Sequence, residues 1–119
     1  MIIDTSAIIA ILDEEPESPA FRQAMEKAGS LRMSVVSYVE AYIVLRSVKS
    51  PIVLHRLQDL IAASYIEIMP VTTDQGRIAC DAYRDFGKGS GSKAKLNFGD
   101  CFSYALAKET MAAHHQNGP

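Results

Sequence analysis

Three short apolar runs set the frame of this chain: MIID at residues 1–4, LRMSV at 31–35 and IEIMPV at 66–71, each followed closely by a helix-start signal. Runs of that length suit buried strands and are too short for stable helices. After the first, Thr5 or Ser6 can cap a helix over roughly 6–12, with Ala7, Ile8, Ile11 and Leu12 on its apolar face. After the second, Ser37 opens a long helix, 37–49, with Val39, Tyr42, Ile43 and Leu45 facing inward. After the third, Thr72 with Gln75 three residues on forms a capping-box pattern, and Ile78, Ala79, Ala82 and Phe86 make a buried stripe. Strand followed by helix, repeated from the start, specifies an α/β fold with a central parallel sheet flanked by helices.

The remaining segments fill in around that frame. Residues 17–28 carry Phe21 and Met25 at helical spacing and stop at Gly29. Pro51 permits a helix restart, and Val53, Leu57, Leu60 and Ile61 carry it to about residue 64. GKGSGSKAK, 87–95, reads as a flexible loop, and Asn97 caps a last helix over roughly 98–112. The expected organisation is one domain over 1–112 and a polar, disordered tail over 113–119 that includes His114 and His115. Three strands are few for such a sheet, and the helices outnumber the surface they should cover.

Composition excludes some classes. With 119 residues, 48% apolar and 22% charged, the chain suits one ordinary globular core. No apolar stretch reaches membrane length and the N-terminus lacks a basic leader, so the expectation is a cytoplasmic protein with no membrane partner. Cys80 and Cys101 both fall in apolar helical patterns and read as reduced core thiols. The net charge of −2 hides local clusters: Asp13, Glu14, Glu15 and Glu17 on one side; Arg46, Lys49 and Arg56, then Lys88, Lys93 and Lys95, on the other. Lys88, Lys93, Lys95 and Arg46 are candidates for tracking an RNA backbone, or simply solvated surface.

Chemistry is concentrated in three acids, each where an α/β fold gathers its strand and helix ends: Asp4, Glu40 and Asp100. Asp4 closes the first run, with Ser6 beside it; it reads as a ligand or as a helix cap, although Thr5 and Ser6 already offer capping oxygens. Glu40 stands three residues after Ser37, which makes it either half of a capping box or a buried acid that needs a cation. Asp100 lies at the third helical position after Asn97, where it complements the helix dipole. Gly99 before it costs about 1 kcal/mol against Ala, which suggests that something approaches closely there. Converging acids repel unless a cation offsets them, and Mg²⁺ or Mn²⁺ prefers oxygen ligands. The set therefore points to metal-assisted phosphodiester chemistry, in which one or two cations activate water and steady the leaving oxygen.

The segments IDTSAIIAIL, VVSYVEAYIVL, IEIMPVTTDQGRIACDAYRDFGKG and LNFGDCFSYALAK resemble, in order and spacing, the PIN-domain ribonucleases, specifically the toxins of VapBC toxin–antitoxin modules. The resemblance covers roughly residues 1–109. It implies a Rossmann-like PIN fold and a Mg²⁺- or Mn²⁺-dependent endoribonuclease that leaves a 5′-phosphate and a 3′-hydroxyl. It places Asp4, Glu40 and Asp100 at three metal-binding acid positions, with Ser6 as a polar helper. It also implies a homodimer, a VapB-type antitoxin that covers the site, often with an arginine reaching the acids, and transfer or ribosomal RNA as the class of target. The departure is at the end, where TMAAHHQNGP stands in place of the family's further strand, Lys-Gly turn and fourth acid. The rival expectations are a catalytically impaired module that binds antitoxin or RNA, and another metal enzyme of similar architecture, such as a phosphatase or a receiver-like domain.

Overall fold

The computed structural model describes residues 1–48 and 51–117, and their side chains except at 47, 48, 51, 53 and 113–117. Lys49, the side chains of Val53, His114 and His115, and the last two residues of the expected tail lie outside the described residues. In chain order the elements are α1 (Thr5–Leu12), α2 (Ser18–Lys27), β1 (Leu31–Ser34), α3 (Val35–Val48), α4 (Pro51–Ala63), β2 (Ile66–Met69), α5 (Thr73–Phe86) and α6 (Phe98–Asn117). β1 and β2 pair in parallel, with Leu31 opposite Ile66 and Ser34 opposite Met69. Among the described residues no helix is long and apolar enough to cross a membrane.

The expected first strand contracts to a single parallel bridge, Ile2 with Arg32. The Ile3 amide donates to the Arg32 carbonyl at 2.8 Å, and the Arg32 amide donates to the Met1 carbonyl at 3.0 Å. The reason is local: Asp4 already caps α1, so only three residues remain to pair. The order is still that of a parallel sheet, with β1 in the middle between the N-terminal segment and β2.

The core lies where α1, α3 and α4 pack on this sheet, and Ile3, Ile8, Ile11, Met33, Leu45 and Leu57 are all under 2% exposed. Each such side chain contributes about 1.5–3 kcal/mol by leaving water. α1 is short, yet Ala7, Ile8, Ala10, Ile11 and Leu12 are all buried, so tertiary packing holds it where its length alone would not. A second, smaller cluster of Ala79, Ala82, Cys101 and Ala105 seals α5 against α6.

Several expectations need correction. α3 begins at Val35, ahead of Ser37, and the residues that face the core are Ser37, Ala41 and Leu45, four apart. Val39, Tyr42 and Ile43, expected inward, are exposed; the helix is apolar around most of its circumference, so periodicity alone did not select a face. Cys101 is buried, but Cys80 is exposed, on the side of α5 that lines an open cavity against α6. The capping box at Thr72 is half made. The Gln75 amide donates to Thr72 Oγ1 at 3.0 Å, but the Gln75 side chain reaches Glu109 instead. Glu109 Oε2 accepts from Thr72 Oγ1 at 2.6 Å, and its Oε1 accepts from Gln75 Nε2 at 3.1 Å. Those two bonds hold the Glu109 carboxyl below its ordinary value and tie α6 to the start of α5. α6 itself runs on to Asn117, through the first residues of the expected tail.

Candidate functional site

Each of the three candidate acids lies at or within the first two turns of a different helix, and the fold brings those helix ends together. Asp4 is the N-cap of α1: its Oδ1 accepts from the Ala7 amide at 2.9 Å and from Ser6 Oγ at 2.8 Å. The sequence offered Thr5 or Ser6 as the cap, but Thr5 is occupied elsewhere and Ser6 turns its hydroxyl onto Asp4. Cap and candidate ligand are thus one side chain, with Oδ1 fixed and Oδ2 left without a hydrogen-bond partner among the described residues.

Glu40 stands in the second turn of α3, and the capping box with Ser37 does not form. The entry of that helix is closed by Ser34, whose hydroxyl accepts from the Val36 amide at 3.2 Å. Glu40 is partly buried and has no hydrogen bond or ion pair among the described residues. Its carboxylate lies directly over Gly99, so close that a Cβ there would fall 2.6 Å from Oε2 and 2.7 Å from Cδ. This is the close approach that the glycine suggested, and it sets Glu40 against the residue that precedes Asp100. Asp100 makes a reciprocal box with Asn97: the Asn97 amide donates to Oδ2 at 3.0 Å, and the Asp100 amide donates to Asn97 Oδ1 at 3.0 Å. That leaves Asp100 Oδ1 without a partner among the described residues.

Three hydroxyl residues tie these helix starts together: Thr5 and Ser37, which the sequence offered as helix caps, and Ser103, which it did not single out. Thr5 Oγ1 donates to the Ser37 carbonyl at 3.0 Å, which joins α1 to α3. Ser37 Oγ and Ser103 Oγ lie 3.0 Å apart, which joins α3 to α6. Thr5 follows Asp4, Ser37 is one turn before Glu40, and Ser103 is one turn after Asp100. The available signal was a hydroxyl residue on the inward face of an otherwise apolar helix, since a buried hydroxyl needs a partner.

The electrostatics leave the acids uncompensated. Among the described residues, the ion pairs are Arg77 with Asp74 and Arg84 with Asp81 and Asp85, all on the exposed side of α5. Burial first, then the charge of Asp100 and the neighbouring Cys80, push the Cys101 thiol up, so it stays a neutral apolar wall. The donor chemistry of the three acids, oxygen only and with acceptor atoms unfilled, fits a divalent cation. Among the described residues, however, no group of three His, Cys, Asp or Glu is gathered closely enough to hold an ion. The fold collects the helix starts without closing the three carboxylates on one point.

The candidate basic residues are exposed. Lys88 sits at the neck of the 88–95 loop, where its amide donates to the Leu96 carbonyl at 3.2 Å, and Lys93 and Lys95 lie further out on the same loop. Arg46 is in the last turn of α3, apart from that loop in sequence. Beside Glu40, Val35, Val39, Ile43 and Phe98 line an apolar cleft of about 470 Å³.

The PIN domain family model matches residues 1–114. The chain is 50% identical to Ribonuclease VapC28 of Mycobacterium tuberculosis over 107 residues, covering 90% of this chain and 80% of that protein. It is 43% identical to Ribonuclease VapC42 of the same organism over 111 residues, covering 92% and 84% of the two chains. Ribonuclease VapC30, also of that organism, is 39% identical over 108 residues, covering 91% and 82%.

Proposed function

The chain belongs to the PIN-domain family, and on that footing we propose that it is a metal-dependent endoribonuclease, the toxin of a VapBC-type toxin–antitoxin module. The observation that carries this reading is the hydroxyl-linked meeting of three helix starts, each bearing a carboxylate with unfilled acceptor atoms. Asp4, Glu40 and Asp100 would hold Mg²⁺ or Mn²⁺, which when bound would supply positive charge to activate water and steady the phosphate oxygens. The protein's own part is to hold the acids in place. Ser6 and the Ala7 amide fix one oxygen of Asp4 and leave the other without a hydrogen-bond partner among the described residues. Asn97 does the same for Asp100, and the missing side chain at Gly99 gives Glu40 its seat.

The substrate in this reading is RNA, with transfer or ribosomal RNA as the class, and Lys88, Lys93, Lys95 and Arg46 meet its phosphates. The antitoxin lays an apolar helix face into the cleft beside Glu40 and a basic side chain against the acids, which suits an apolar groove with an unpaired carboxylate in its wall. The working form is a homodimer. The test is cleavage of end-labelled total RNA with Mn²⁺, beside Asp4→Asn and a chelator control. Wild type gives discrete cuts, and the variant loses at least about 100-fold of the rate while keeping its fold. Equal cutting by Asp4→Asn would remove Asp4 from the site.

A further inference from the structure

Phe98, at 67% exposed, is a wall shared by two openings: the cleft at Glu40 and a second cavity of about 560 Å³ between α5 and α6. That size lies within the roughly 300–1,000 Å³ of small-ligand pockets. Tyr83, Phe98 and Phe102 supply its aromatic walls, and Phe98 meets Phe102 edge to face with 5.0 Å between ring centroids. Tyr83 is 49% exposed, so two large aromatic surfaces stand open to solvent at one mouth. Buried Ala79 and Cys101 also line it.

Two polar groups accompany these walls. Asn97 Oδ1 accepts from the Asp100 amide, which leaves the side-chain NH₂ donors without a partner among the described residues. Lys88 brings an ammonium group and leads into the loop that carries Lys93 and Lys95. Flat apolar walls, an amide able to read a base edge, and a cation for a phosphate are the parts that bind an unstacked nucleobase. A purely apolar ligand would use neither the amide nor the ammonium. The cavity lies next to the acids, because Asn97 in its wall is hydrogen-bonded to Asp100, and Phe98 is shared with the cleft at Glu40.

We propose that this cavity receives one unstacked base of the RNA strand, beside the phosphodiester presented to Asp4, Glu40 and Asp100. The proposal rests on the nuclease reading and deepens it: the enzyme selects its cut by extruding one nucleotide from the stack, with Tyr83 and Phe98 as the stacking surfaces. Tyr83 takes no part in holding the acids, so the pocket and the acid site can be tested separately.

The experiment uses a short single-stranded oligoribonucleotide that spans a cut mapped in total RNA, and a series with one abasic residue at each position in turn. Binding is read by fluorescence anisotropy in the Asp4→Asn background, with Tyr83→Ala or Tyr83→Phe added. The expected result is that one abasic position beside the cut weakens binding roughly tenfold. Tyr83→Ala weakens binding of the intact strand by a similar factor and adds nothing to that abasic loss, whereas Tyr83→Phe binds as its parent does. A flat abasic series, an unaffected Tyr83→Ala, or losses that multiply independently overturn the pocket while leaving the nuclease reading standing. A Tyr83→Ala variant that binds RNA normally but loses affinity for an antitoxin peptide assigns the cavity to a protein partner and also overturns it. No mapped cut in wild type defeats both readings together.

Discussion

Replacing Gly99 with alanine separates stability from function. The new Cβ would occupy the seat of the Glu40 carboxylate, 2.6 Å from Oε2 and 2.7 Å from Cδ, well inside contact distance. What it meets is the far end of a flexible side chain on another helix, not backbone, so Glu40 can swing away at small energetic cost. Against that stands the removal of a glycine from the first turn of α6, which favours the helix by up to about 1 kcal/mol. The balance is close to neutral or slightly stabilising, a rise in melting temperature of no more than roughly 5 °C for a domain of this size. Activity moves the other way, because Glu40 leaves its seat over Gly99. The expected loss is on the order of 10- to 100-fold, as for changes that misorient a ligand without deleting it. Thermal denaturation and RNA cleavage rates on one preparation read the two quantities. A variant that melts several degrees lower would show that Glu40 cannot give way. A variant that cuts RNA at the wild-type rate would show that the seat at Gly99 has no bearing on the chemistry.

Two further outcomes are expected. In a double-mutant cycle, Ser37→Ala and Ser103→Ala should each cost about 1 kcal/mol by denaturant unfolding, and the double variant less than their sum, because the hydroxyls share one bond; strict additivity would mean that the bond is not made. Glu109 is held below its ordinary 4.5 by Thr72 and Gln75, so its contribution to stability is present above pH 4.5 and lost as the pH falls through its lowered folded value; Glu109→Gln should flatten that acid limb, and an unchanged limb would remove the assignment.

Much of the fold can be read in the chain because its signals are local. Three apolar runs followed by helix starts gave the parallel order, and Pro51, Thr72 and Asn97 open or cap helices where their chemistry predicts. Misreadings arose where one residue serves two purposes or where partners are distant in sequence. Asp4 is both cap and candidate ligand, which shortened the first strand to a bridge. The inward face of α3 is chosen by contacts of Ser37 with Thr5 and Ser103, 32 and 66 residues away, which no local period encodes. Within the candidate site, the three acids and the peculiarity of Gly99 were visible from residue chemistry. The hydroxyl links between their helices, and the aromatic cavity next to Asn97, were not, because Tyr83 and Phe98 belong to different helices and meet only in the fold.

The central claim is that Asp4, Glu40 and Asp100 share a cation. Calorimetric titration of Mn²⁺ into wild type, Asp4→Asn, Glu40→Gln and Asp100→Asn tests it without reference to any RNA. Saturable binding by wild type, weakened at least roughly tenfold in each of the three variants, is the predicted result. A variant that binds Mn²⁺ as wild type does, or a wild type that does not bind it, would contradict the claim.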